Sequence, residues 1–208
     1  MAGQENKVRY GLSNVHVGTI TAGEGGELTM SVPKKYPGAV NMTLSAQGDQ
    51  SIFYADNIAY YVTNSNNGYE GELEMALLPD WFLTEYLGNV TSEEGMIVEL
   101  ADVEPVDSYV MFQFEGDVNA TKYIVYNITF GRPDIEGGTQ EDAREPDTTT
   151  IPFTSVPLVT DFGKIVRAKV PATASNYANF FTKAPTVPTS AEMASLQQTQ
   201  PTQQTQQN

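Results

Sequence analysis

Asn64-Ser65-Asn66-Asn67-Gly68-Tyr69-Glu70-Gly71-Glu72-Leu73-Glu74-Met75-Ala76-Leu77 is the stretch whose pattern decides the fold class. Its first five residues are a turn signal, because Asn-Gly supplies the positive φ that tight hairpin turns require. Strict alternation follows. Glu70, Glu72 and Glu74 fall on one side, and Gly71, Leu73, Met75 and Leu77 on the other. A period of two is that of a strand, and an apolar side opposite an acidic one places one face in a core and the other in water. One strand cannot bury its own apolar face, so the flanking chain must supply a sheet.

Upstream, residues 9–21 read as a first strand ending in the turn Gly23-Glu24-Gly25-Gly26, and residues 27–32 return until Pro33 stops them. After the turn at Pro37-Gly38, residues 39–46 set Val40, Met42 and Leu44 against Asn41, Thr43 and Ser45. Gly48-Asp49 marks a bulge or a tight turn. Residues 51–62 then continue as strand, dense in Ile52, Phe53, Tyr54, Ile58, Tyr60, Tyr61 and Val62.

Downstream, residues 79–88 read as the one convincing helix, starting at Pro79 or Asp80 and capped by Gly88. Phe82, Leu83, Tyr86 and Leu87 lie at helical spacing, and a helix this short survives only by packing. Trp81, Phe82, Leu83, Tyr86 and Leu87 are therefore expected against the sheet. Strands resume at 97–100, 108–115, 122–130 and 147–154, with a hairpin through Gly116-Asp117 and a polar, acidic loop over 132–146. Residues 162–170 can add one more. The reading is a mainly β domain over residues 1–170, a β-sandwich or barrel-like fold with one short helix on the sheet. After Pro171 the composition turns to Ala, Thr, Ser and Pro, then to a Gln/Thr tract. Residues 171–208 are expected as a flexible arm whose Tyr177, Phe180 and Phe181 can dock onto a partner.

The 208 residues contain no cysteine and one histidine, His16, which excludes disulfide frameworks, thiolate metal sites and His-rich metal clusters. No run approaches the ~18 consecutive apolar residues of a membrane helix, and the N-terminus lacks the apolar region of a secretory signal, so folding in a cytoplasm is expected. The formal net charge is -15. Residues 47–147 carry 21 carboxylates against three bases, Lys122, Arg132 and Arg144, whereas the remaining segments carry five against eight. An acidic body repels nucleic acid instead of gripping it.

Glu70, Glu72 and Glu74 recur about 7 Å apart along one strand face, a spacing within reach of glycosidase-like pairs. A ladder on one strand makes no pocket and gives no reason for unequal pKa values, so a solvated or pore-facing surface is the plainer reading. The loop from Asp134 to Asp142 offers oxygen ligands to calcium but does not match an EF-hand, and an exposed acidic loop is the plainer reading. His16, with Asn14 and Gly18 on its side of a strand, reads as structural. No phosphate-cradling glycine loop precedes a helix, and no nucleophile elbow is present. No enzyme, cofactor or metal is implied.

Several blocks stand in a set order: Glu5-Asn6-Lys7-Val8-Arg9-Tyr10-Gly11-Leu12, Pro37-Gly38-Ala39-Val40-Asn41, Phe53-Tyr54-Ala55-Asp56-Asn57, Asn64-Ser65-Asn66-Asn67-Gly68-Tyr69, Gly71-Glu72-Leu73-Glu74, Leu78-Pro79-Asp80 and Phe114-Glu115-Gly116-Asp117. As an ordered set they resemble the major tail protein family of siphophages infecting Gram-positive bacteria. Together they span roughly residues 5–150; the Gln/Thr-rich end is outside the pattern. The resemblance implies a non-enzymatic tail tube subunit in the virion, assembled in the host cytoplasm. Six copies make a ring, and rings stack into a tube alongside other tail proteins. Double-stranded DNA passes through the lumen without specific binding, and no membrane is involved. Asp49, Asp56, Glu70, Glu72, Glu74 and Glu115 are then the candidates for a lumen-facing acidic surface. A different β-rich decoration or adhesin module, and an acidic β-barrel enzyme acting on a sugar, share the composition and stay open.

Overall fold

Alternating β-branched and aromatic residues give a chain that is mainly β. In the computed structural model, residues 8–23, 27–135, 137, 147–161 and 163–187 are described. The strands in chain order are β1 (Leu12–Ala22), β2 (Leu28–Met30), β3 (Lys34–Lys35), β4 (Ala39–Gln47), β5 (Gln50–Ala55), β6 (Ile58–Asn64) and β7 (Gly68–Met75). The helix α1 (Asp80–Glu85) follows, then β8 (Val90–Thr91), β9 (Ile97–Val98), β10 (Ser108–Phe114), β11 (Lys122–Phe130) and β12 (Thr149–Ser155). The series ends with β13 (Leu158–Thr160), β14 (Gly163–Ile165), β15 (Arg167–Val170) and a 3-10 turn at Tyr177–Asn179. No helix among the described residues is long and apolar enough to cross a membrane.

One antiparallel sheet dominates, in the order β2-β1-β10-β11-β12-β7-β4, with β3 also on β1 and β15 also on β11. The mainly β reading with one short helix holds, but the sheet is not closed into a barrel. Its middle is split. The first half of β11 pairs with β15 and its last residues with β12. The partner changes around Asn127, whose φ of 48° kinks the strand.

The stretch 64–68 does not reverse the chain, contrary to the turn its composition suggested. Pairing runs straight through it: Gln47 opposes Gly68, Gln50 opposes Asn64, and Ser65 and Asn67 donate backbone N–H bonds to the carbonyls of Asp49 and Gln47. The reversal is at Asp56-Asn57, with φ of 52° and 62°. Both are residue types that tolerate the left-handed region, as a type I′ hairpin turn demands. Residues 51–62 are thus not one strand but the two sides of a hairpin. Gly68 instead serves a close approach: its φ is 106°, and a Cβ there would overlap the Ser155 carbonyl. Also missed were the short β3, β8 and β13, and residues 162–170 give two strands, β14 and β15, where one was expected. The turn residues 24–26 and most of the 132–146 loop lie outside the described residues.

β10 and β11 are buried on both faces. Val110, Phe112, Tyr123 and Val125 belong to one cluster, which α1 completes through Phe82 and the turn after it through Tyr86 and Leu87, with Trp81 and Leu83 packed against it; the helix ends at Glu85, short of the expected 88. Phe82 touches the rings of Tyr36, Trp81, Tyr86 and Phe130 at centroid distances of 5.0 to 5.9 Å. Gly88, with φ of 76°, closes the helix, and the Asn89 N–H bonds to the Leu83 carbonyl. Tyr109, Met111, Ile124 and Tyr126 face the other way, into a second cluster with Ile20, Leu158 and Phe180.

That second face is covered by residues 171–187, so the aromatics expected to dock on a partner dock on their own chain. The Tyr177 hydroxyl donates to the Ala120 carbonyl at 2.7 Å, and Lys122 Nζ donates to the Tyr177 carbonyl at 2.8 Å. The Lys122 ammonium also lies 3.9 Å from the Tyr177 ring centroid and 4.9 Å from that of Phe181. Phe181 stacks on His16, centroids 4.6 Å apart. His16 Nδ1 donates to the Asn14 carbonyl at 2.8 Å, and burial, with a smaller push from Lys35, lowers the His16 pKa below its ordinary value. Residues 188–208 lie outside the described residues.

Phe82→Ala removes a ring from the middle of the aromatic cluster and is expected to cost about 3–5 kcal/mol, read as a fall in the denaturation midpoint. His16 supplies a pH dependence of known sign. A depressed folded-state pKa means that the unfolded chain binds the proton more readily, so stability falls as pH drops below about 6.5. His16→Gln should therefore shrink the loss of melting temperature between pH 7.5 and 5 relative to wild type; an equal loss in both proteins would contradict the assignment.

Candidate assembly surface

The Glu ladder is built by the register of three strands. Leu73 and Met75 point into the core, and Gly71 between them lies beneath the Phe153 ring, so Glu70, Glu72 and Glu74 must point away. Their cross-strand neighbours are Ser45, Thr43 and Asn41 on β4 and Thr154, Pro152 and Thr150 on β12. None carries a positive charge. Thr129, paired with Thr154, extends the face onto β11. A groove of about 750 Å³ crosses it, lined in part by Thr43, Ser45, Glu70, Glu72, Thr129 and Thr154. Glu70 accepts from Gln47 Nε2 at 3.1 Å, and Glu74 from Thr148 Oγ1 at 2.7 Å. The ion pairs among the described residues lie elsewhere, at Lys34–Glu85 (2.7 Å) and Arg132–Glu99 (2.9 Å).

The other three acids singled out in the sequence are not gathered with the ladder. Asp49 sits further along the same ribbon, beyond Gln47, where its N–H bonds to Ser65 Oγ. Asp56 is at the hairpin tip. Glu115 follows β10 and bonds through its N–H to the Gly11 carbonyl, with β11 and β12 between its strand and β7. Alternation had identified strand faces but not which strands are neighbours.

The two borders of the sheet differ. Among the described residues β4 pairs with β7 alone, and its nine residues, Ala39-Val40-Asn41-Met42-Thr43-Leu44-Ser45-Ala46-Gln47, include no charge and no proline. At the opposite border β2 has three residues and β3 two, both lysines. Short or lysine-bearing edges resist pairing with other chains, and long uncharged ones invite it. The uncharged run over 39–47 was readable in the sequence; that it lies at a border was not.

Among the described residues no group of three His, Asp or Glu is placed to hold a metal, and most of the acidic loop 134–142 lies outside them.

No family model matches the chain, and no curated protein does. Among solved structures it is similar to the anti-feeding prophage cap, a tube terminating cap, at 11% identity and a TM-score of 0.45. The match covers 83% of this chain and 99% of that one. So distant a likeness carries no argument about role.

Gly71→Ala tests the joint that holds the border strand. A Cβ there would stand 2.2 Å from the Thr43 carbonyl oxygen and 2.7 Å from the Phe153 ring. The expected result is a loss of about 1–3 kcal/mol, with β4 amides exchanging faster than those of β10.

Proposed function

We propose that this chain is a structural subunit of a phage tail tube, built as homo-hexameric rings that stack around a channel through which double-stranded DNA passes. The observation that carries the reading is the long, uncharged, unpaired border strand β4, on the same ribbon as the Glu ladder. A long uncharged border can seat a strand of the next copy, and a head-to-tail contact of that kind closes into a ring when the rotation allows. Ring closure completes the backbone hydrogen bonds that β4 leaves open. The Glu and Thr face then serves as the lumen, where carboxylates repel phosphates and withhold the Lys and Arg contacts that give affinity. The ordered resemblance in residues 5–150 to siphophage major tail proteins of Gram-positive hosts supports the same conclusion. On this reading the chain is not an enzyme. It resides in the virion tail, assembles in the host cytoplasm, and has copies of itself and other tail proteins as partners.

Electron microscopy of the concentrated protein in negative stain is expected to show rings or tubes with a central hole. Monomers that persist at high concentration would favour a decoration module, and hydrolysis of glycans would favour an enzyme. Glu70→Lys, Glu72→Lys and Glu74→Lys together should leave tubes intact but make them retain duplex DNA at low salt, with retention falling steeply as salt rises. Tubes that fail to form would assign these carboxylates to assembly instead.

A further inference from the structure

Beside α1 the chain leaves a cavity of about 310 Å³, lined by Leu83 and Leu87, by Ile97, Leu100 and Val103 from β9 and the loop after it, and by Ile135 beyond β11. Apolar surface continues outside it. Ile135 is 99% exposed, and Leu77 and Met96, next in the chain to the lining residues Leu78 and Ile97, are 71% and 58% exposed. Bare apolar surface around a pocket marks protein contact, and a pocket of this size seats one large anchor side chain. None of these residues belongs to the Glu ladder: α1 packs on the Leu73 and Met75 side of β7, opposite to Glu70, Glu72 and Glu74.

Charge narrows the occupant. Asp80, Glu99 and Arg132 also line the cavity. Arg132 is engaged within the chain, through Nε to Glu99 at 2.9 Å and through Nη2 to the Leu100 carbonyl at 3.4 Å. Residues 77–107 carry eight carboxylates and no base. Of these eight, only Glu85 and Glu99 are ion-paired among the described residues. The field at the cavity is therefore negative and attracts a cation. The chain beyond Ile135 has the wrong sign to fill it, since residues 136–147 hold five acids and one base. The body of another copy is equally acidic, with 21 acids and three bases over residues 47–147.

We propose that this cavity is the docking site for a basic, apolar segment of a different protein. One large aliphatic or aromatic side chain enters it, and lysine or arginine on either side meets Asp80 and the carboxylates of residues 93–104. Docking here is independent of how copies of this chain assemble. The probe is the fluorescent peptide Lys-Arg-Leu-Phe-Lys, titrated against the full chain and read by anisotropy. Saturable binding is expected, weakening as salt rises. A peptide with Ser-Ser in place of Leu-Phe, and one with Glu in place of each base, should each bind at least roughly tenfold more weakly. Ile135→Arg and Leu100→Arg, both at exposed positions, should weaken the first peptide by a similar factor with the melting temperature unchanged. A photo-crosslinking group on the peptide's Phe should capture residues 77–105 or 131–135. Absence of binding overturns the proposal. Equal binding of the serine peptide, or capture at the Glu ladder, would mean bare charge attraction and overturns it, and equal binding of the glutamate peptide removes the basic partner. A crosslinking residue at position 135 that joins two copies of the chain without any peptide would make the chain its own occupant, which overturns the proposal as well.

Discussion

Burial of the β10–β11 pair on both faces is the constraint from which the rest of the structure follows. Side chains of these strands point alternately into two clusters, so neither face can be left to water. One cover is the six-residue α1 with the turn that follows it, held by Phe82, Tyr86 and Leu87. The other is the segment after β15, anchored by Phe180 and by Lys122 between Tyr177 and Phe181. The β4–β7 ribbon joins the first cluster through Leu73 and Met75, with Met42 and Leu44 packed against it, and leaves its opposite Thr and Glu face bare.

The division between a dry centre and an open border is also one of charge. The ladder on β7 sits among Thr, Ser, Asn and Pro instead of bases, so its carboxylates stay a field and do not become ion pairs. The border strand beside it carries no charge at all. A surface that repels polyanions and an uncharged border strand thus lie side by side on one ribbon.

What was legible in the sequence is what local chemistry decides. The period of two in Glu70-Gly71-Glu72-Leu73-Glu74-Met75 gave the correct faces, because alternation needs no knowledge of neighbours. Phe82, Leu83, Tyr86 and Leu87 gave the helix and the side it buries. Asn64 to Gly68 misled, because Asn and Gly also suit a slip in a long ribbon. Asp56-Asn57 made the real reversal, hidden inside a run of aromatics that looked like one strand. The segment after Pro171 misled for another reason. Its composition is poor in apolar residues, yet Tyr177, Phe180 and Phe181 fall where the sheet has a face to cover, and tertiary contact outweighs composition there. The candidate acids were separable only by strand order, which places Glu115 and the ladder in different parts of the sheet.

The stack of His16 against Phe181 joins the first strand to the last described segment. Contacts so distant along the chain form late, because a long loop must close before they yield any stabilisation. While the ribosome still holds the region around Phe181, the apolar side of Tyr109, Met111, Ile124 and Tyr126 has no lid. A nascent chain therefore leaves that apolar side open to water until the residues around Phe180 and Phe181 have emerged.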